Sequence, residues 1–315
     1  MNFKSGIIRI FIFSLFALSA ASCTKDDTTT STSTVNFEIT DAPCDDANVQ
    51  GVFVTVVAIK VDGKVIDNFS GKTTFDLAAY QRGSVKTLGN TNLQAGTYSN
   101  ITLVLDNAAD QNGTSPGCYV LTKANEKKAI VASSATTTEI TLKGNFKSVA
   151  NQTSTAVIDF DLRKTVVYDG TSGYKFGSSS ELTNGVRVVQ KSETGVIQGT
   201  TTNNSLVTSD KIVVYAYKKG TFNKTTEMTA QGTVEFKNAV SSSVVTNNTY
   251  DLHFLEAGDY ELHFISFKDK NSDGKLDIQG EFQASILGGL NISALNVTAT
   301  ATVAANISLT GIIPL

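Results

Sequence analysis

What most constrains this chain is a β-strand pattern running through nearly all of it: short, β-branched, alternating segments separated by clusters of Asn, Gly, Ser and Asp. Val35, Phe37 and Ile39 fall on one face of an extended segment and Asn36, Glu38 and Thr40 on the other, ending at Asp41-Ala42-Pro43. A period of two closed by a turn predicts a half-buried strand. Val52–Val61 is denser in apolar residues, as suits a central strand buried on both faces. Further strands are expected at 73–77, 98–106, 117–122, 128–132, 137–142, 155–161 and 185–190. A second series follows at 211–217, 232–238, 249–254, 259–267, 281–286, 293–303 and 305–313. Ala78 to Leu88 leaves room for one short helical turn. With three prolines, 17% charged residues and abundant Thr, Ser, Val, Asn and Gly, the composition favours an all-β chain with tight turns.

One detail links the two series. Leu93-Gln94-Ala95-Gly96-Thr97-Tyr98 is echoed by Leu255-Glu256-Ala257-Gly258-Asp259-Tyr260. Glycine in such a turn permits positive φ, and the tyrosine can bury its ring while its hydroxyl bonds to backbone. The echo predicts two β-sandwiches in tandem, each with this corner. The only histidines, His253 and His263, flank the second corner and are expected as cross-strand neighbours. Two imidazoles without a third ligand make a poor zinc site, and so few disfavour Ser-His-Asp chemistry.

The N-terminus carries a different signal. Lys4 and Arg9 precede an apolar run from Ile10 to Leu18, then small residues lead to Cys23. That run is too short to span a bilayer and has the layout of a secretory leader. After Cys23 come Thr24, Lys25, Asp26, Asp27 and a Thr/Ser tract too poor in apolar side chains to fold. Removing Lys4 and Arg9 with the leader shifts the net charge from −3 to about −5. A chain of that charge is a poor partner for nucleic acid or an anionic membrane surface. The frame of Cys23 resembles a bacterial lipobox, although Ala20 stands where Leu is usual. The resemblance implies a lipid-anchored N-terminus, and Lys25-Asp26-Asp27 is similar to the surface-export signal of Bacteroidetes-type lipoproteins. The expected division is 1–22 leader, 23–34 lipidated cysteine and tether, 35–193 first sandwich and 194–315 second.

Three groups carry candidate chemistry. Cys44 and Cys118 are an even pair beside turn residues in an oxidising compartment. A bridge closing that loop of about 75 residues would stabilise by roughly 4 kcal/mol, the alternative being two buried thiols. Asp269, Asn271, Asp273, Lys275 and Asp277 place oxygen donors at alternating positions around Gly274, with the Lys275 carbonyl at the seventh. That spacing suits a structural Ca²⁺, but Gly280 stands where the twelfth-position carboxylate belongs and Glu281 follows it. Its alternative is a plain hairpin loop. In Asp159-Phe160-Asp161-Leu162-Arg163, alternation puts Asp159, Asp161 and Arg163 on one face. They read as a solvated strand face in which Arg163 or Arg187 neutralises the acids, as a carboxylate-ligand site, or as an acid–base pair. Tyr80, Tyr119, Tyr168 and Tyr174 lie near turns, where they serve either a sugar platform or edge packing.

At these motifs the first series resembles an uncharacterised domain of bacterial lipoproteins. Thr40-Asp41-Ala42-Pro43, Phe75-Asp76-Leu77, the Leu93–Tyr98 corner, Asp159–Val166, Arg187-Val188 and Gly195–Gly199 carry the resemblance, over about 34–199. It implies a transthyretin-like or carbohydrate-binding-like sandwich with no established activity. The expected role is a non-catalytic, surface-exposed outer-membrane lipoprotein binding a glycan or protein partner. The alternative is a structural or adhesive spacer.

Overall fold

Val35, Phe37 and Ile39 are fully buried and Asn36 and Glu38 partly exposed, as the alternation requires. Their strand, Thr32–Ala42, lies inside a six-stranded sheet, between Thr153–Asp161, which runs parallel to it, and Lys86–Gln94, which runs antiparallel. Val186–Gln190 extends the sheet beyond Thr153–Asp161. Val49–Val61 is the central strand of a seven-stranded sheet, flanked by Tyr119–Thr122 and Ile101–Asp106. Apolar residues of the two sheets form one core, with Phe37 meeting Phe146 edge to face. The computed structural model describes residues 31–315 except 43–47, 169, 171–172, 229–233, 272–275 and 289. Cys23, Lys25, Asp26, Asp27 and Cys44 therefore lie outside the described residues, as do Asp273 and Lys275.

From Thr194 onward the chain builds a nine-stranded sheet. It runs Ser241–Val244, Lys211–Lys218, Gly258–Lys268, Asp277–Ile286, Ile307–Pro314, Thr194–Asn203, Thr249–Glu256, with two short strands paired at its side. The end strands are joined by a turn in which Thr246 and Thr249 exchange backbone hydrogen bonds, so the sheet curls around its core. Lys211–Lys218 is buried on both faces. Val214 and Ala216 enter the enclosed core, while Val213, Tyr215 and Tyr217 join a second cluster with Phe236, Ile265 and Phe267. The chain is thus all-β, and Ser31–Leu315 forms one compact unit containing both halves.

Local departures from the expected elements have identifiable causes. In place of a strand at 232–238, the described residues from Glu235 to Asn238 form a turn. Phe236 is held at φ +52° with its ring stacked 4.0 Å from that of Tyr215, covering the outer tyrosine face. Buried Glu227 pins this turn, accepting from the Tyr217 hydroxyl at 2.8 Å and the Asn238 N–H at 3.1 Å. Side-chain bonds replace a sheet ladder here. The helix Ser179–Gly185 is closed by a capping box between Ser178 and Glu181, a signal present in the sequence as S-x-x-E. The 293–303 segment yields only Leu295–Val297 and Thr302–Ala304 as strands. The strand with His253 pairs with Thr194–Asn203, and that with His263 pairs with Lys211–Lys218 and Asp277–Ile286. The histidines are therefore not cross-strand neighbours, because the corner carries the chain across the curled sheet.

The two corners share the tyrosine-to-carbonyl bond but not the glycine conformation. The Tyr98 hydroxyl donates to the Gln94 carbonyl at 3.0 Å, and that of Tyr260 to the Glu256 carbonyl at 2.8 Å. Tyr260 is fully buried and Tyr98 only half-buried. Gly258 takes φ +146°, whereas Gly96 does not have positive φ. Tyr260→Phe removes a bond on a buried ring and should cost about 1 kcal/mol in urea unfolding; an unchanged midpoint would show the corner bond to be idle.

Asp41 ends the first strand beneath the Asp159–Lys164 segment. Its Oδ1 accepts from the Leu162 N–H at 3.1 Å, and its buried Oδ2 has no hydrogen-bond partner among the described residues. Burial pushes its carboxyl well above the usual carboxylate range; the Leu162 bond and Arg163 oppose this, and Asp161 and Asp159 add to it. A carboxyl raised on folding contributes stability that is full below its unfolded pKa of about 3.8 and is lost as pH rises through the folded value. Asp41→Asn keeps the Oδ1 acceptor without the charge, so its stability relative to wild type should rise between pH 4 and pH 7. The same difference at both pH values would contradict the assignment.

Candidate functional site

The Asp159–Val166 segment is where the two halves meet. Asp159 stands opposite Arg187 in the antiparallel register, and Arg187 donates to Asp159 Oδ2 from Nε at 2.9 Å and Nη2 at 2.7 Å. The strand ends at Asp161, whose side chain caps the helical turn Leu162–Thr165 by accepting from the Arg163 N–H at 3.2 Å. The chain thus leaves the strand before Arg163, so the expected shared face with Asp159 and Asp161 stops at Asp161. Arg163 instead folds back to give Asp161 Oδ2 a 2.6 Å bond, with Lys164 Nζ 3.2 Å from the same oxygen. These groups are not solvated: Asp159, Asp161 and Arg163 are each under a tenth exposed. Burial raises the Asp161 carboxyl, yet Arg163 and Lys164 together hold it below its ordinary value.

Each cation of this cluster also crosses to a backbone carbonyl of the second half. Arg163 Nη1 lies 3.4 Å from the Phe236 oxygen, Lys164 Nζ 2.7 Å from that of Ala239, and Arg187 Nη2 3.1 Å from that of Phe254. The Arg163 guanidinium also lies 5.0 Å over the Tyr215 ring. Phe236 and Phe254 both have left-handed backbone, at φ +52° and +56°, which a bulky side chain rarely adopts. At Phe254 the reason is a bulge. Gly195 pairs with Leu255 and Ile197 with Leu252, leaving Val196 against both His253 and Phe254. The extra residue disrupts the ladder locally, and the Phe254 carbonyl meets Arg187. A second clamp lies nearby. Arg82 pairs with Asp251 and donates to Thr249 Oγ1 at 3.1 Å, and His253 Nε2 lies 3.3 Å from Asp251.

Beside this cluster opens a cavity of about 620 Å³ lined from both halves. Asp159, Asp161, Lys164 and Arg187 are among its lining residues, with Lys143 and Asn184 from the first half and Lys218, Lys237, Asn238 and Glu256 from the second. The turn pinned by Glu227 supplies Lys237 and Asn238, so a buried carboxylate positions one wall. A second cavity of similar size lies by the edge strand Thr137–Thr141 and the helix Ser179–Gly185. Glu227, Lys218 and Lys237 were not legible as site residues, since nothing in their sequence surroundings marks the crossing of halves.

The other expected sites fall elsewhere. Cys118 is a buried free thiol with Sγ 3.4 Å from the Asp106 carbonyl, and burial pushes its pKa up to about 12; Cys44 is outside the described residues. The Asp269–Asp277 loop closes an antiparallel hairpin with Lys268 opposite Asp277, and the Asp269 N–H donates to Asp210 Oδ2 at 2.9 Å. Of the tyrosines, Tyr119 is buried and stacks on Phe53, Tyr174 is buried, Tyr80 packs edge to face on Phe75, and Tyr168 is exposed beside Tyr174. None of the four lines the seam cavity.

No curated protein matches the chain. Among solved structures, the chain is similar to the Bacillus anthracis TIE protein at 10% identity and TM-score 0.19, over 88% of this chain and 34% of that one. It thus spans about a third of that protein's length. Others are the minor pilin GBS52 of Streptococcus agalactiae (11%, TM-score 0.20, 89% of this chain and 97% of that one) and the fimbrial anchor protein Mfa2 of Porphyromonas gingivalis (11%, TM-score 0.19, 88% and 90%). At such scores these likenesses bear on neither mechanism nor partner. Residues 32–178 match the model of a family described as a domain of unknown function, DUF4382, which ends short of Arg187-Val188 and Gly195–Gly199.

Proposed function

We propose that this protein is a lipid-anchored, surface-exposed outer-membrane protein that acts as a non-catalytic binding module for a glycan or protein partner. The observation that carries the reading is the seam cavity, concave, set with charged side chains between apolar walls and built by both halves. Its two central acids support binding rather than turnover. A general acid needs a free carboxyl with a raised pKa. Asp159 is held twice by Arg187, and Asp161 is capped, paired and kept below its ordinary value. A structural or adhesive spacer is the second reading, favoured by the cation-to-carbonyl bonds that tie one half to the other.

Full-length protein in detergent should retain glycan or protein partners on an array or in a pull-down. Asn184→Trp, an exposed position on the cavity wall, should remove them without changing the melting temperature. Identical retention by both proteins would place binding elsewhere, and no retention by wild type would favour the spacer. Anchoring is tested separately: Cys23→Ala should move the protein from the membrane to the soluble fraction, and unchanged membrane retention would defeat that part.

A further inference from the structure

Resting on the reading of the seam cavity as a binding site, we infer that its ligand is a small carboxylate-bearing molecule, recognised by lysines that the fold itself leaves without an ion pair. The cavity is lined by five cations, Lys143, Lys164, Arg187, Lys218 and Lys237, and four carboxylates, Asp159, Asp161, Glu181 and Glu256. Three of those carboxylates are already committed. Asp159 is bound by Arg187, Asp161 by Arg163 and Lys164, and Glu181 by the Ser178 N–H and hydroxyl at 2.6 and 2.7 Å. Asp161 is shared between two cations, one of which, Arg163, stands behind the lining, so the buried cluster carries more positive than negative charge.

Lys143, Lys218 and Lys237 have no carboxylate within ion-pair distance among the described residues. Lys143 and Lys237 are exposed. Lys218 Nζ lies 4.3 Å over the Tyr260 ring and 3.4 Å from the Ala257 carbonyl, and the Glu256 carboxylate of the same wall attracts it from beyond ion-pair distance. A locally positive cavity in a chain of net charge −3 cannot be put down to overall composition. Its sign favours an anion, and walls of low polarity such as Val188, Val189 and Val240 strengthen that preference by keeping water back.

Size and lining narrow the class. A concave cavity of about 620 Å³ is in the range of small-molecule sites, not of the broad surfaces that proteins use for each other. None of the described lining residues is aromatic, so none of them offers a neutral sugar a ring to stack on. Lysine ammonium groups and the Asn184 and Asn238 amides instead offer hydrogen-bond donors suited to carboxylate and hydroxyl oxygens. A uronic-acid saccharide and a free polycarboxylic acid share that chemistry.

Titration calorimetry on the full chain in detergent can separate the sources, using trigalacturonate, citrate and neutral maltotriose as probes. Trigalacturonate or citrate should bind, the one that binds identifying the source, with affinity falling as salt rises, and maltotriose should not. The double variant Lys218→Gln/Lys237→Gln should keep the wild-type melting temperature and bind the anion about tenfold more weakly, equivalent to 1.4 kcal/mol. Equal affinity in wild type and double variant would overturn the proposal. So would maltotriose binding as tightly as trigalacturonate; if Asn184→Trp then abolished that binding, the cavity reading would stand and only the charge argument would fail. No binding of any probe would overturn the proposal, leaving the cavity reading to the array.

Discussion

The structure depends on neutralising three cations that the first half brings into a largely buried place. Arg163, Lys164 and Arg187 face two carboxylates, Asp161 and Asp159, and three backbone carbonyls of the second half. Buried ion pairs seldom add much net stability, because desolvation offsets the Coulomb gain. Removing one partner, by contrast, costs about 3–5 kcal/mol. The cluster therefore acts chiefly as a geometric constraint: the halves can meet only where Phe236, Ala239 and Phe254 present their oxygens. Arginine suits two of the three positions because a planar guanidinium reaches a carboxylate and a carbonyl at once, which a lysine ammonium does less well.

That dependence accounts for two backbone conformations that would otherwise be hard to explain. Left-handed phenylalanines cost roughly 1–3 kcal/mol each and persist only where their surroundings over-determine them. Phe236 is fixed by its stack on Tyr215 and by the Glu227-pinned turn, and Phe254 by the bulge against Val196. Both carbonyls end on an arginine of the first half. The bulged strand that looks irregular within its own sheet is regular in its purpose at the seam.

Much of the fold was legible because it is written at period two. Val35–Ile39 and Val52–Val61 carry their burial in their spacing, and the repeated L-x-A-G-x-Y corner predicts the bond from Tyr260 to the Glu256 carbonyl as well as that from Tyr98 to Gln94. The strand Lys86–Gln94 is not legible in the sequence because Leu88 and Thr91 are its only buried residues amid polar ones. The 232–238 segment misled for the opposite reason: Val234 and Phe236 alternate as a strand would, but Phe236 is spent covering Tyr215. At the site, the residue types were legible and their surroundings were not. Asp159, Asp161, Arg163 and Arg187 stand out in the sequence, yet burial comes from Tyr215, Phe236 and Phe254, each more than fifty residues from Arg163.

The same bonds bear on what the cavity can do. A floor whose cations are all held by carboxylates and whose carbonyl acceptors are fixed does not reorganise when a ligand arrives, so little ordering cost is left to binding. The lysines at the rim differ, because they form no ion pair among the described residues. Lys237 is carried on a turn that a buried carboxylate holds in place, and Lys218 leaves its strand over the ring of the tyrosine corner. A spacer would need the floor and have no use for the rim. A binding protein needs both.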